Sequence, residues 1–303
     1  MNNKNVKLLY EVGMGIGNNV HATGVIYGML AHPRFKDFII TVRTKFPQIW
    51  TPVDGLIITD HKDIPSTEMY DYHAHTLFRL ENDFSINVKT EIPLSYDKSL
   101  FTQFHEVEIN SSAIEQFFNV NLHAKKYRRV NCNKSDTFQR GLIGLINGGT
   151  RSTQWLNKRW NGWDKLASHH FNSNSMQLLT RCFYNDIADK IEGCDDEINT
   201  DLLKAAFHLT ECELIIGNDC GLLHVADALG VPTIAIFGPT YHEKNKPIGK
   251  FSKTIRRGLP CQPCQGTPLQ ANCKNPDCMT GIGPSTVFGY TIKHLNDIRK
   301  ERN

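Results

Sequence analysis

Apolar residues in this chain fall into short runs that alternate with segments of helical spacing. The runs predict strands over 6–12, 38–42, 55–59, 70–78, 141–147, 178–184, 214–216 and 233–237. The helical spacing predicts helices from residue 20, over 105–118, from near residue 163, and over 201–209, 222–229 and 285–299. Such alternation is typical of an α/β fold, with 46–52 and 91–104 as loops.

The most informative stretch is 212–240, CELIIGNDCGLLHVADALGVPTIAIFGPT. It predicts a strand–turn–helix–strand unit in which Gly230 stops the helix and Pro232 prevents its continuation. Its polar residues gather at the carboxyl ends of the strands, where open α/β sheets bind ligands and helix N-termini offer N–H groups to phosphate. The plainer interpretation is that Asp219 only caps the helix.

Two further Gly-containing turns follow predicted strands. Gly13-Met14-Gly15-Ile16-Gly17-Asn18-Asn19 lies after the first strand, where glycine lets backbone approach a ligand closely. Gly148-Gly149-Thr150-Arg151-Ser152 lies after the strand 141–147 and precedes Lys158, Arg159 and Trp160. The alternative is that Lys158 and Arg159 are surface charges and that Trp160 only packs in the core of the domain.

Composition restricts the class of protein. The chain has 303 residues, a net charge of +3 and a pI near 8.3. This excess of positive charge is too small to indicate nucleic-acid or membrane binding by itself. No apolar run approaches the ~20 residues that span a bilayer, and MNNKNVKLLY lacks the features of a signal peptide. We therefore expect a cytoplasmic protein.

Four of the nine cysteines form a cluster with the spacing C-x2-C-x8-C-x4-C: Cys261, Cys264, Cys273 and Cys278. This pattern predicts a closed, structural four-thiolate site for zinc or iron, the alternative being thiols kept reduced. His73 and His75 fall on one strand face and are a weaker candidate for a metal pair, since such histidines are usually ordinary half-buried residues.

The stretch 218–240 resembles the C-terminal signature of the family-9, heptosyltransferase-type glycosyltransferases. The matching positions are Asp219, Cys220, Gly221, His224, Ala226, Gly230-Val231-Pro232 and Phe237-Gly238-Pro239-Thr240. Some members, the protein-modifying heptosyltransferases, also carry a similar iron-binding four-cysteine finger. The resemblance is strong over 141–283 and weaker over 6–30 and 105–118.

The resemblance implies a GT-B-like α/β fold, with two Rossmann-type parallel-sheet domains facing across a cleft and a four-cysteine metal finger. We expect an acceptor-side domain over 1–136, a nucleotide-sugar-binding domain over 137–285 that includes the finger 261–278, and a crossing helix over 286–303. It further implies an inverting glycosyltransferase with a nucleotide-sugar donor, ADP-heptose-like, and no catalytic metal.

The resemblance also implies site residues. Those expected to bind the donor are Gly15, Gly17, Thr150, Lys158, Arg159, Asp219, Cys220, Gly221, His224 and Thr240. Lys158 would stabilise the charge of the departing nucleotide diphosphate. A ribose-binding residue is expected within 176–201, a stretch shorter than the family's, where Asn185, Asp186 and Glu192 are the candidates.

The acceptor is expected near 15–21, where the family places a catalytic Asp at the head of its first helix. This chain has Asn18 there, and an amide cannot accept a proton at neutral pH. Glu11 and His21 are the replacement candidates, with His21 the better placed, one helical turn from Asn18.

Three acceptor classes remain open: a saccharide, a protein or modified DNA. A phage-type enzyme that adds a pentose or hexose to a hydroxymethylated base is suggested by the basic run Lys125-Lys126-Tyr127-Arg128-Arg129 and by the missing Asp. A solvated linker face explains the basic run more simply. A different interpretation is a non-catalytic sugar-nucleotide-binding protein that lost its base.

Overall fold

The computed structural model describes residues 5–13, 15–63, 69–77, 87–94, 97–149, 153–171, 178–184 and 188–302. Contacts divide the chain into two compact units, Met1–Asn131 and Cys132–Asn303. Within the described ranges, no helix combines the length and apolar character that membrane crossing requires.

The first unit is built on a parallel sheet whose described strands follow the order β3-β2-β1-β4-β5. The strands are β1 Val6–Glu11, β2 Phe38–Thr44, β3 Leu56–Asp60, β4 Tyr70–His75 and β5 Val88–Glu91. Helix α1, Ile16–Ala31, is buried over most of its length, and helix α2, Glu106–Phe118, begins with a capping box formed by His105 and Glu108.

The second unit is built on a parallel sheet in the order β11-β10-β9-β6-β7-β8. Its strands are β6 Gln139–Ile146, β7 Leu179–Phe183, β8 Asp196–Ile198, β9 Cys212–Asn218, β10 Thr233–Ile236 and β11 Ser252–Ile255. Its helices are α3 Trp163–Lys165, α4 Leu202–Leu209, α5 Gly221–Ala228, α6 His242–Asn245, α7 Pro268–Ala271, α8 Asp277–Thr280 and α9 Pro284–Arg302.

The core of the second unit joins these strands to the C-terminal helix. Ile143, Leu214 and Ile234 from the sheet pack in one apolar cluster with Trp160 and with Leu295 of α9. Arg299 of α9 donates two hydrogen bonds to the carboxylate of Glu213, of 2.7 and 2.6 Å. Helix α9 is therefore fixed to its own unit by both apolar contacts and an ion pair.

Two parallel-sheet α/β units confirm the predicted fold class. Helix α5 ends as expected, because Gly230 adopts a φ of +82° that an L side chain rarely adopts. Helix α1 begins at Ile16, earlier than the predicted residue 20, because Gly15 takes the capping position instead of extending the turn.

Three strands were missed by the hydrophobic pattern: β5, β8 and β11. Each lies at an edge of its sheet and is short and polar in sequence, as in VKTE and DEI. Edge strands have one neighbour and more contact with solvent, so they need few apolar residues.

Candidate active site

The signature turn of the second unit lies where two neighbouring parallel strands end. Asp219 directly follows β9 and Thr240 follows β10, and helix α5 begins at Gly221 between them. Lys158 comes from a helical turn, Thr153–Lys158, after β6. The sheet thus brings together Lys158, Asp219, His224 and Thr240, which the sequence predicts as donor-binding residues.

Asp219 is at the centre of this group, and its side chain is almost fully buried. The Lys158 Nζ donates a 2.8 Å hydrogen bond to the Asp219 carbonyl oxygen and lies 3.9 Å from Oδ2. His224 Nε2 lies 3.5 Å from Oδ1, and the Asn245 amide donates to Oδ2 over 3.4 Å. The carboxylate is therefore held from three directions.

The electrostatics keep this carboxylate ionised. Burial by itself raises the pKa of Asp219, but the positive charge of Lys158 and the contact with His224 outweigh it and hold that pKa well below its usual range. An ionised carboxylate in a buried site can accept hydrogen bonds from ligand hydroxyls.

The start of helix α5 provides the complementary feature. Cys220 is its N-cap, and no acidic residue lies in its first turn, all of which the structure describes. Burial raises the pKa of the Cys220 thiol to about 11, so that this side chain is neutral. The positive end of the helix dipole, beside Lys158, is suited to an anion such as a diphosphate.

Other predicted donor residues are placed differently. Arg159 donates to Asp189 over 3.0 Å and to the carbonyl oxygen of Gly149. Glu192 is exposed, and its backbone N–H donates to Asp164 over 3.1 Å. Thr150, Asn185 and Asp186 lie outside the described residues.

The cysteine segment, residues 261–278, lies against this site. Backbone N–H groups of Cys264 and Gln265 each donate to the Pro239 carbonyl over 3.0 Å, and Asn157, next to Lys158, donates to the Gln270 carbonyl over 2.9 Å. The segment therefore contacts the backbone at Pro239 and the side chain of Asn157, on two sides of the Asp219 group.

The four thiols influence one another, since burial first and then the charges of Cys264, Cys261 and Cys273 raise the pKa of Cys278 to about 11. However, no His, Cys, Asp and Glu side chains among the described residues form a group of three or more that could hold a metal ion. The predicted finger is not confirmed.

In the first unit, the Gly-rich turn leads into α1. Gly15 is the N-cap, and Gly17 and Asn18 lie in the first turn. The Asn18 Nδ2 donates a 2.5 Å hydrogen bond to Glu106 Oε1, and His21 Nδ1 lies 3.8 Å from Glu106 Oε2. Two predicted residues, Asn18 and His21, thus meet at one buried carboxylate from α2.

Glu11, the other candidate base, is part of a separate buried network. Its Oε1 accepts a 2.9 Å hydrogen bond from Arg43, and its Oε2 lies 3.1 Å from His73 Nε2. The second ring nitrogen of His73 faces Glu91 at 2.8 Å, while His75 contacts the Thr76 carbonyl. His73 therefore pairs with carboxylates, and the two histidines do not share a metal site among the described residues.

Sequence reasoning missed Glu106, Asn245 and Gln270. Glu106 follows the cap residue His105 in the sequence HEVE. Acidic residues at a helix start usually serve only to stabilise the helix dipole, so nothing in the sequence distinguished this one. Asn245 and Gln270 lie on short helices without a recognisable motif. Only the fold brings them to the predicted residues.

The sequence matches the family model "Glycosyltransferase family 9 (heptosyltransferase)" over residues 70–274. It is 34% identical to lipooligosaccharide heptosyltransferase 2 of Campylobacter jejuni serotype O:6, over 96% of this chain and 99% of that protein.

Solved structures share the fold. The ADP-heptose LPS heptosyltransferase II of E. coli superimposes with a TM-score of 0.66 at 16% identity, over 97% of this chain and 100% of that one. The iron-containing dodecameric glycosyltransferase TibC of enterotoxigenic E. coli gives 0.64 at 13% identity, over 97% of this chain and 77% of that one. With a family match over most of its length and a full-length relative, this chain belongs to glycosyltransferase family 9 and is a glycosyltransferase of the heptosyltransferase type.

Proposed function

We propose that this enzyme transfers a heptose from ADP-heptose, or a closely similar nucleotide sugar, to an acceptor hydroxyl with inversion at the anomeric carbon. The observation that carries the proposal is the group around Asp219, in which Lys158 contacts this buried residue directly before the start of α5. The choice of ADP-heptose as donor is supported by the similarity to the ADP-heptose LPS heptosyltransferase II of E. coli.

On the donor side, the diphosphate is assigned to the ammonium of Lys158 and the N-terminus of α5. As the bond from the anomeric carbon to the diphosphate oxygen breaks, negative charge grows on the leaving group, and a fixed cation and helix dipole stabilise it. The ionised Asp219 and the neighbouring His224 are assigned to the hydroxyl groups of the donor. Thr240, buried beside them, completes this side.

On the acceptor side, the Gly-rich turn of the first unit, around Gly15 to His21, is assigned to the hydroxyl nucleophile. Position 15 requires glycine if Asn18 is to keep its place, since a Cβ on Gly15 would lie 2.5 Å from the Asn18 amide oxygen. Glycine at this position therefore lets the Asn18 side chain lie against the turn.

A saccharide acceptor has more support than modified DNA. In the basic run 125–129, Lys125 pairs with Glu108 over 2.8 Å, and the Arg129 guanidinium lies 3.9 Å from the centroid of the Tyr27 ring. The ion pair neutralises one charge of the run, and the ring contact holds a second cation in place, so the run is less suited to a phosphate backbone.

The test is donor binding and turnover with Lys158→Ala. ADP-heptose at ~100 times its dissociation constant should stabilise the wild-type protein by roughly 2.7 kcal/mol in thermal unfolding, and ADP should be released on incubation. We expect Lys158→Ala to weaken donor binding by about 1.5–3 kcal/mol, the usual value of a hydrogen bond to a charged group.

Lys165→Ala is the matched control, because Lys165 is exposed on α3 and should leave the donor response unchanged. A wild-type protein that shows neither stabilisation nor ADP release would refute the transferase proposal. Stabilisation without any turnover would support the non-catalytic interpretation instead.

We also propose that Cys261, Cys264, Cys273 and Cys278 bind a structural zinc or iron ion. The support is the chemistry of the donor set, four thiols in one short segment whose charges act on each other, although the described residues form no group of three that is already arranged around an ion. TibC, described as iron-containing, supports the choice of iron. The ion would hold the segment that contacts Pro239 and Asn157, with no part in the reaction itself.

Elemental analysis of the purified protein tests this proposal. We expect close to one metal ion per chain, lost in Cys264→Ser together with part of the thermal stability, since metal-binding free energy contributes to folding. Cys132→Ser, at a half-buried cysteine outside the segment, should keep the ion. Equal metal content in both variants, or none in the wild type, would contradict the site.

A further inference from the structure

An inverting transfer needs a proton acceptor for the attacking hydroxyl, and none of the three sequence candidates is well suited to this task. The amide of Asn18 has no basic site at neutral pH. Glu11 is fully buried between Arg43 and His73. The ring of His21 lies 3.8 Å from the Glu106 carboxylate, which it therefore faces instead of an acceptor.

We propose that Glu106 is the general base of this enzyme, an assignment that rests on the proposed function. Its carboxylate lies where the side chain of residue 18 ends, because the 2.5 Å hydrogen bond from Asn18 Nδ2 joins the two groups. The carboxylate of Glu106, on α2, therefore lies beside the position on α1 at which a catalytic Asp was expected.

The start of α2 favours the charged form of this group. Glu106 is the first residue of α2, where the helix dipole favours a negative charge. The Asn18 amide nitrogen only donates, so the Oε1 of Glu106 accepts this hydrogen bond. Both features suit a carboxylate at this position.

Among the described residues, groups from three elements lie near Glu106. They include the buried Tyr10 on β1, Asn18 and His21 on α1, and His105 at the cap of α2, whose ring centroid lies 4.8 Å from that of His21. Burial first, and then the negative charge of Glu106, raises the pKa of Tyr10. Tyr10 therefore stays neutral and does not compete for the acceptor proton.

In the reaction, the acceptor hydroxyl displaces the Asn18 amide from Oε1 of Glu106. The hydroxyl oxygen forms the new bond to the anomeric carbon while the bond from that carbon to the diphosphate oxygen breaks. The hydroxyl proton passes to Glu106, and the nucleoside diphosphate leaves with the electron pair. Asn18, released from the carboxylate, can hydrogen-bond the acceptor.

The test uses ADP-heptose with water as the acceptor, so that no saccharide acceptor must be known. ADP release and donor-induced thermal stabilisation are measured side by side for each protein over a range of pH. We expect Glu106→Gln to bind the donor as the wild type does, to lower kcat by about 10²–10⁴-fold, and to lose the fall in rate on the acid side of the profile.

Two further variants separate chemistry from structure. Glu108→Gln makes the same change two residues along α2 at a half-exposed carboxylate, and a Gln can still complete the capping box, so kcat should not change. The double variant Asn18→Asp with Glu106→Gln returns the carboxylate to α1. We expect its kcat to be at least about tenfold higher than that of Glu106→Gln alone.

The possible results distinguish the assignment of Glu106 as base from the proposed transferase activity. Donor binding with a Glu106→Gln rate and acid limb like those of the wild type would overturn the base assignment and leave the transferase intact. A wild-type protein that neither binds nor hydrolyses the donor would overturn both. If Glu106→Gln fails to fold, Glu106→Ala is measured in its place, and a folded Glu106→Ala protein with the wild-type rate refutes the assignment.

Discussion

At the level of single residues, burial and neighbours decide what a side chain can do. Glu11 and Glu106 are both buried glutamates of the first unit, yet Glu11 lies against the cation of Arg43 and Glu106 against the amide of Asn18. Both oxygens of Glu11 are engaged, since Arg43 donates to Oε1 and His73 lies 3.1 Å from Oε2. The same residue type therefore pairs with a cation at one position and with a neutral amide at the other, where we propose a catalytic role.

The buried network at Glu11 predicts a pH-dependent stability. Burial by itself lowers the pKa of His73, but hydrogen bonds to Glu11 and Glu91 raise it above its ordinary value. A protonated histidine then stabilises the folded state, fully below the ordinary pKa of about 6.5, and the stabilisation is lost as the pH rises through the higher folded value.

We therefore expect His73→Gln to lower the free energy of unfolding by roughly 1–3 kcal/mol more at about pH 5.5 than at about pH 9. Urea denaturation followed by circular dichroism measures the difference. His75→Gln is the control on the same strand, because the His75 ring contacts the Thr76 carbonyl oxygen. An equal cost of His73→Gln at both pH values would exclude a charged His73.

At the level of secondary-structure elements, the cysteine segment shows how a part without catalytic groups can position a site. Gln270 on α7 is buried, and its Nε2 donates to Asn157 over 3.4 Å while its Oε1 accepts from the Gly266 N–H over 2.7 Å. Asn157 immediately precedes Lys158. The segment is therefore linked to the proposed phosphate-binding lysine through one residue.

This link predicts that Gln270→Ala weakens donor binding although Gln270 belongs to no donor motif. We expect a loss of about 1 kcal/mol, the usual net value of an intramolecular hydrogen bond, with unchanged metal content. Calorimetric titration with ADP measures it. Asn272→Ala, at an exposed amide of the same segment that donates to the Pro268 carbonyl, should bind as the wild type does, and equal binding by both variants would disprove the link.

At the level of the complete chain, the family and the fold class followed from the sequence, because the strand–turn–helix unit over 212–240 is both a local pattern and a family signature. The grouping of Asp219, His224 and Thr240 could be predicted for the same reason, since the three residues lie within one continuous segment that folds as one unit. Parallel pairing of β9 and β10 then places their ends at the same edge.

The proposed role of Glu106 could not be predicted from the sequence, because it depends on a contact between α1 and α2, which are far apart in the chain. Strand and helix periodicity, the donor motif and the cysteine spacing could all be read from the amino-acid order, since these features depend on neighbours within a few residues. Only the tertiary structure decided that Glu11 pairs with a cation and that Glu106 faces Asn18. The physical reason is that burial and charge at a site come from residues that are distant in sequence and meet only in the folded chain.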